Sequence, residues 1–465
     1  MSGVAAPLFY VSPTQINFQM PGEGEVVVST GAGSSAPYDP YTATPAAWYA
    51  AGIFTLDASG CGQGAVLNVA AGGGLSLNSS ANSASPGDWI SVYGNGIADI
   101  IAPPIGVPAP STPLWTSETN GVVEFDFQDG LSVVGAAWTG LAPGYVGLDQ
   151  SNVQIPVSVR EGCAVPLQFA YSGTSEAITQ PVTIAIRQGG GTCVDPPAAG
   201  YGQIVWQKAV NTTDVNVVTE TDTMTASLQA SPGQQAPPTP VYSDGCPGNI
   251  CEESLQSSLT LFGPACPVPG YRSLGAGTVT IQGPGIDPAQ APAVPFQQGQ
   301  LSGLSVYQAT LPAGTVQAGN FTVAASGGAD VGAFQATLQV GADIQIQTPL
   351  AGDSVFYSCT PLTIDWTGGD PKSWVTVSLI QQLPSVYGGY EGVNFAFQTP
   401  TANGTLTIPP PVLTACGATP PLPLTISIEV DPDPSEIVAF PASGLSLGGQ
   451  ATWRYIHTFQ AGLFM

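Results

Sequence analysis

Two stretches, Ala6–Pro21 (APLFYVSPTQINFQMP) and Ala142–Pro156 (APGYVGLDQSNVQIP), repeat one pattern within the chain. Gln15, Asn17, Gln19 and Pro21 align with Gln150, Asn152, Gln154 and Pro156, an offset of 135 positions. Ile16, Phe18 and Met20 alternate with the amides in the first copy, as Val153 and Ile155 do in the second. A period of two sends successive side chains to opposite faces of a strand. The pattern therefore reads as a half-buried β-strand used twice, with its amides outside. A ligand-binding amide ladder is the sharper reading of the same residues. Before its motif the second copy has 66 residues, Ser76–Leu141, with at least three strand-like runs; the first has five residues before Ala6. The first copy thus reads as a sandwich short of strands, or one whose strands come from elsewhere.

Short alternating runs of the same kind recur along the chain. Examples are Glu25–Thr30, Trp89–Tyr93, Val122–Phe127, Val182–Arg187, Ile204–Val210, Thr278–Gln282, Phe321–Ala325, Thr363–Trp366, Trp374–Ile380 and Leu424–Val430. Turn-formers such as SPGD, QGPG, LPAG and TGGD separate them, and helical periodicity is nearly absent. This predicts an all-β protein of tandem Ig-like β-sandwich domains. Composition sets the expected boundaries. Residues 1–75 form the strand-deficient first copy, ending near the AAGGG run Ala70–Gly74, and residues 76–188 form the second. Gly189–Gly200 reads as a linker. Residues 201–341 form a third domain with a stapled loop at Ser231–Gly270, and residues 342–465 a fourth that ends in a C-terminal strand.

Composition agrees with a folded, turn-rich chain. Gly and Pro make up 103 of 465 residues, apolar residues 43% and charged residues only 8%. The net charge of −25 is spread too thinly for self-repulsion to unfold the chain. The six basic residues, Arg160, Arg187, Lys208, Arg272, Lys372 and Arg454, are scattered. They form no patch able to neutralise a run of phosphates, which argues against nucleic acid and anionic membrane surfaces as partners. No stretch reaches 18 apolar residues, so no membrane insertion is expected.

The eight cysteines are even in number and widely spaced, which reads as disulfides and an oxidising compartment. Cys359 and Cys416 are alone after Cys266 and fall in one expected domain, so they are expected to pair. Cys193, Cys246, Cys251 and Cys266 are expected to pair among themselves. That leaves Cys61 with Cys163. Residues 1–25 hold neither a charged segment nor an apolar core of the kind a leader peptide has. The expectation is an exported protein whose leader has been removed or lies outside this sequence.

PLFYVSPTQINFQMP, AAGIFTLDASGCGQGAVLN, SPGDWISVYGNGI and GLAPGYVGLDQSNVQIPVSV, covering about residues 4–188, resemble an uncharacterised secreted domain family abundant in Solibacter and other Acidobacteria. That family usually lies at the C-terminus of large extracellular proteins, where further β-rich sequence precedes the first motif. The resemblance implies a bacterial extracellular or cell-surface location and no chemistry. IQIQTPLAGDSV, PLTIDWTGGDPKSWVTVSLI and GGQATWRY, within about residues 342–456, resemble the Ig-like modules of bacterial surface proteins, which bind, space or anchor.

No catalytic set stands out, and the chain reads as a non-enzyme. His457, the single histidine, alternates with Trp453, Tyr455 and Phe459 as a packed strand residue would. No nucleophile elbow, zinc-binding His pair or phosphate loop is present. No cofactor is expected. Calcium is the one reasonable ion, at Glu429, Asp431, Asp433 and Glu436 or at Glu124, Asp126 and Asp129, with solvated acidic turns as the plainer reading. Lys208 and Lys372 are considered for an intramolecular amide bond, which the GGDPKS turn around Lys372 disfavours. Three functions compete: a structural subunit of a surface filament or layer; a cell-surface adhesin or carbohydrate binder, for which Trp48, Tyr49 and Trp138 are candidates; and an enzyme of unrecognised type. The C-terminus favours the first. Thr452–Met465 alternates over 14 residues, well beyond an ordinary strand of about 5–6 residues. Its last part, with Thr458, Phe459, Ala461, Leu463, Phe464 and Met465, either folds back into its own domain, the plainer reading, which leaves the first copy merely small, or overhangs. Overhanging, it would pair with the open face of the first copy at Ile16, Phe18 and Met20 of another molecule, giving a head-to-tail homopolymer by strand donation.

Overall fold

The computed structural model describes residues 4–20, 25–38, 51–98, 105–117, 122–125, 132–170, 179–214, 217–233, 272–286, 293–298, 305–349, 354–356, 361–384, 390–408 and 424–464. The described residues divide into two compact units, one up to Pro196 and the other from Pro197 onward. Among the described residues, no helix is long and apolar enough to cross a membrane.

The first unit carries β1 (Leu8–Val11), β2 (Ile16–Phe18), β3 (Ser29–Thr30), β4 (Gly33–Ser34), β5 (Gly52–Ile53), β6 (Val66–Val69), β7 (Leu75–Leu77), β8 (Trp89–Asn95), β9 (Val122–Phe125), β10 (Ser132–Gly135), β11 (Trp138–Leu141), β12 (Asp149–Gln154), β13 (Gly162–Ala170) and β14 (Val182–Ile186). Two sheets form its sandwich. One runs β11-β12-β8-β6-β7 with β5 against β8, and the other runs β10-β9-β13-β14. Ile90, Val92, Val153 and Ile155 of the first pack with Phe125, Leu167, Phe169 and Ile184 of the second in one buried cluster. Burial of such alternating faces is the main driving force for this layer.

The boundary expected near residue 75 does not hold. β6 pairs with β8, Val66 opposite Val92, so residues on both sides of it share one sheet. The Gly-rich run is a hairpin turn, closed by Ala70 N–H to Gly74 O and Gly73 N–H to Ala70 O. Glycines mark a place where the chain reverses, and reversal inside a sheet looks the same in sequence as the end of a domain. The Gly189–Gly200 linker is likewise corrected. Ser83 pairs with Gly191, Cys193 is disulfide-bonded within the first unit, and a strand of the second unit starts at Ala198.

The second unit carries β15 (Ala198–Asp214), β16 (Val217–Pro232), β17 (Arg272–Ser273), β18 (Val279–Gln282), β19 (Ala293–Val294), β20 (Phe296–Gln298), β21 (Ser305–Leu311), β22 (Gly319–Ala325), β23 (Phe334–Val340), β24 (Ile344–Thr348), β25 (Ser354–Phe356), β26 (Leu362–Gly368), β27 (Trp374–Pro384), β28 (Tyr390–Pro400), β29 (Thr405–Ile408), β30 (Leu424–Asp431), β31 (Val438–Phe440) and β32 (Gly449–Phe464). A long sheet runs β20-β21-β16-β15-β32-β30-β27-β28. Two smaller sheets, β19-β18-β22-β23 and β24-β26-β29, complete the layers. Trp206, Met224, Trp453 and Tyr455 share one core with Phe321, Leu338, Ile364 and Trp366. The domains expected at 201–341 and 342–465 are thus joined by a continuous sheet. The join is β15 in parallel with β32, from Gly202 opposite Gly449 to Thr212 opposite Phe459. Most of Ser231–Gly270 lies outside the described residues.

Candidate functional site

The two copies of the repeat meet different fates. In the second, β12 is a central strand, with β11 on one side and β8 on the other. Val153 is 0% exposed and Ile155 1%. In the first, β2 pairs with β1, Val11 opposite Ile16 and Leu8 opposite Phe18, and with no other strand among the described residues. Ile16, Phe18 and Met20 are only half-buried. On β1, Leu8 is 61% exposed, Phe9 51%, Tyr10 52% and Val11 61%. The four apolar side chains of β1 are left in water, exposure of the kind that marks interaction sites, and among the described residues β2 has no strand on its second edge.

The local chemistry of the repeat is the same in both places. Gln15 Nε2 donates to Asn17 Oδ1 at 2.8 Å, and Gln150 Nε2 to Asn152 Oδ1 at 2.9 Å. Asn152 Oδ1 also accepts from Ser91 Oγ of β8 at 2.8 Å, a contact across the second edge of β12. Gln154 Nε2 donates to Gly87 O, and Gly106 N–H donates to Gln19 Oε1 at 2.7 Å. The amides are largely engaged with one another and with nearby backbone, so the half-buried strand accounts for them better than a ligand ladder does.

Asp149, at the start of β12, is buried and accepts from Ile97 N–H at 2.8 Å and Ala98 N–H at 3.1 Å. Burial pushes its carboxyl up to about 6, against the pull of those donors. A raised folded-state value means that the folded chain holds this proton more tightly than the unfolded chain. The stabilising contribution is full below about pH 4 and is lost as pH rises through about 6, a change of at most about 3 kcal/mol. Asp149→Asn is expected to remove this part of the pH dependence. Urea midpoints of both proteins at pH 4 and pH 7 test it, and equal pH slopes would refute it.

The expected overhang of the C-terminal strand is corrected. Thr458 and Phe459 lie opposite Asn211 and Thr212 of β15 on one side and Ser427 and Ile426 of β30 on the other. Ala461 lies opposite Leu424. Leu463 and Phe464 pair in parallel with Val355 and Phe356 of β25. Phe459 is 5% exposed and belongs to the core. Met465 lies outside the described residues. The strand is long because several strands of its own unit use it in turn.

The cysteine pairing differs as well. Cys163 bonds to Cys193, with Cα atoms 5.3 Å apart, so neither the Cys61–Cys163 pair nor a Cys193 pair with the later cysteines forms. The chain returning from β14 brings residue 193 beside the start of β13, where Asp195 Oδ1 accepts from Cys163 N–H. Cys61 is disulfide-bonded. Cys246, Cys251, Cys266, Cys359 and Cys416 lie outside the described residues.

The acidic run after Glu429 is occupied by the protein's own groups. Arg454 Nε lies 2.7 Å from Glu429 Oε1 and 3.0 Å from Asp431 Oδ1. Burial first, and then the neighbouring Asp431, push the Glu429 carboxyl up to about 7. Asp433 caps a short 3-10 turn by accepting from Ser435 N–H, and Lys372 Nζ lies 3.4 Å from Glu436. Among the described residues no group of three or more His, Cys, Asp or Glu is arranged to hold a metal ion. Glu124 accepts from Gln168 Nε2 at 2.6 Å. Asp126, Asp129, Trp48 and Tyr49 lie outside the described residues. Trp138 is half-buried and donates to Thr116 Oγ1.

A second cluster gathers around Lys208, whose side chain is 20% exposed. Its Nζ lies 3.4 Å from Asp343 Oδ2 and 3.6 Å from Glu220 Oε2. His457 Nε2 lies 3.0 Å from Asp343 Oδ1. Asp222, directly opposite Lys208 on β16, is 0% exposed. Sequence reasoning missed Glu220, Asp222 and Asp343. One signal was available: Asp222 interrupts the otherwise apolar file of Met224, Ala226 and Leu228 on the buried face of β16.

No family model matches the chain, and no curated protein does. Among solved structures, the crystal structure of chicken CNTN1 FN1-FN3 domains aligns over 81% of this chain and 94% of that chain, at 7% identity and a TM-score of 0.17. A score that low carries no argument, and the all-β sandwich assignment rests on the paired sheets and their shared cores.

Proposed function

We propose that this chain is an extracellular structural protein of a bacterial surface, a subunit of a filament or layer, that associates through the N-terminal repeat. The observation that carries the reading is the contrast between the two copies. Among the described residues, one motif is paired on both edges and dry; the other is paired on one edge and only half-buried. The second copy also indicates what would close the first: an antiparallel strand in the position of β8, supplied by a neighbouring molecule. Such β-augmentation satisfies backbone groups and buries the apolar file in one step. The Cys163–Cys193 bond supports an oxidising location. The pairing of the C-terminal strand within its own unit favours a donor elsewhere in the chain.

The test is sedimentation and electron microscopy of the purified chain and of an Ile16→Asp/Phe18→Asp variant. Concentration-dependent assemblies are expected for the unmodified chain. The variant should lose association by at least about 100-fold, because burying two carboxylates against an incoming strand costs several kcal/mol. A chain that stays monomeric at high concentration, or a variant that assembles as well as the parent, would sink the proposal. Specific retention on a glycan array by the monomer would favour the adhesin reading instead.

A further inference from the structure

The Lys208 cluster stands where three parts of the second unit converge. Lys208 is on β15, the first strand of the unit, and His457 is on β32, the last. Asp343 lies in the short segment between β23 and β24, where the chain passes from one small sheet to the other. That segment is fixed over β32. Tyr455 Oη donates to Gly341 O at 2.9 Å, and Asp343 Oδ1 accepts from Ile344 N–H at 2.8 Å and faces His457 Nε2 at 3.0 Å. The Asp343 carboxyl is therefore held by its Oδ1 side. Its Oδ2 side is presented to Lys208 Nζ at 3.4 Å.

An ordinary surface ion pair needs no further acid beneath it. Here Asp222 lies beneath, 0% exposed, with Oδ2 accepting from Val316 N–H at 2.8 Å and Oδ1 having no hydrogen-bond partner. A buried carboxyl oxygen without a donor is costly as an anion and far less so as an acid. Burial is the main cause that moves this carboxyl upward. The site thus places an amine 3.4 Å from a fixed carboxyl, with a buried acid on the strand position opposite the amine, an arrangement suited to condensation by proximity.

We propose that Lys208 Nζ and Asp343 Cγ are joined by an intramolecular amide bond that forms after folding. The step is balanced without any external reagent. The ammonium of Lys208 and the carboxylate of Asp343 together contain one amide and one water. Lys208 gives up a proton, its nitrogen attacks Cγ of Asp343, a C–N bond forms, and a C–O bond breaks as water leaves. Asp222 carries the proton between the departing N–H and the leaving oxygen, and the unit needs no oxidant or cofactor. The product ties the first strand of the unit to the crossing segment between its two small sheets. A structural protein under tension would gain a covalent link there, although the chemistry does not depend on the assembly proposed above.

The experiment is the intact mass of the full chain, denatured and reduced, followed by proteolysis and fragment sequencing. The expected mass is below the sequence mass by one water, with a branched peptide joining Lys208 to Asp343. The Lys208→Arg variant keeps the charge and should show the full mass. In freshly synthesised chain, followed by mass over time, Asp222→Asn should slow the loss of water by at least tenfold. An unmodified wild-type mass overturns the proposal whatever the variants do. So does a water loss that persists in Lys208→Arg, or a branch that maps to Glu220 instead of Asp343. Formation at the parent rate in Asp222→Asn removes Asp222 from the step. Failure of assembly in the earlier test leaves this measurement intact, since it is made on the single chain.

Discussion

Deletion of residues 458–465 is expected to unfold the second unit. The deleted segment supplies Phe459, which is 5% exposed in the core, and removing a buried Phe side chain costs about 3–5 kcal/mol. It also strips Leu424, Thr425, Ile426 and Ser427 of β30 of their partners, Ala461, Gln460, Phe459 and Thr458. Ile426 is 0% exposed and would be opened to water, at a further loss of about 1.5–3 kcal/mol. Each lost ladder hydrogen bond adds about 1 kcal/mol. The sum reaches the whole stability of a typical domain, about 5–15 kcal/mol. The measurement is hydrogen exchange. Amides of β15 and β30 should lose protection in the deletion, and Phe459→Ala alone should lower the unfolding free energy by about 3–5 kcal/mol. A truncated protein that keeps parental protection and changes only in assembly would show that the strand end is dispensable to its own unit.

Loss of the Cys163–Cys193 bond is expected to destabilise the first unit selectively. The bond closes a loop of 30 positions, for which chain-entropy arithmetic gives roughly 3.5 kcal/mol. The closed loop includes the buried strands β13 and β14, whose Leu167, Phe169, Ile184 and Ile186 are each 0% exposed. Freed ends would let the return after β14 detach, together with the Ser83–Gly191 bridge. A Cys163→Ala/Cys193→Ala variant should therefore unfold in the first unit at clearly lower denaturant, with the second unit unmoved. Coincident unfolding of both proteins across the whole denaturant range would refute the assignment.

Strand identity was legible in the sequence because it is a local property. Period-two alternation fixes which side chains share a face, and steric preference fixes where the chain can turn. The runs Trp89–Tyr93, Val182–Arg187, Ile204–Val210 and Phe321–Ala325 thus coincide with strands. The repeat was legible for the same reason, down to the matched amide pairs at Gln15–Asn17 and Gln150–Asn152.

Partnership was decided only in three dimensions. The AAGGG run is a hairpin turn because β6 and β7 happen to be neighbours, and nothing within it separates a turn from a domain end. Cys163 meets Cys193 because β13 and β14 pair, which sets their ends side by side. The end of the last strand could look unpartnered because β15 and β25, which pair with it, lie far away in sequence. Lys208, Asp343 and His457 come together through the same long-range register. Alternation tells a strand which face to bury. The free energy of burying that face against one particular neighbour chooses the edge, and that choice is summed over the whole core.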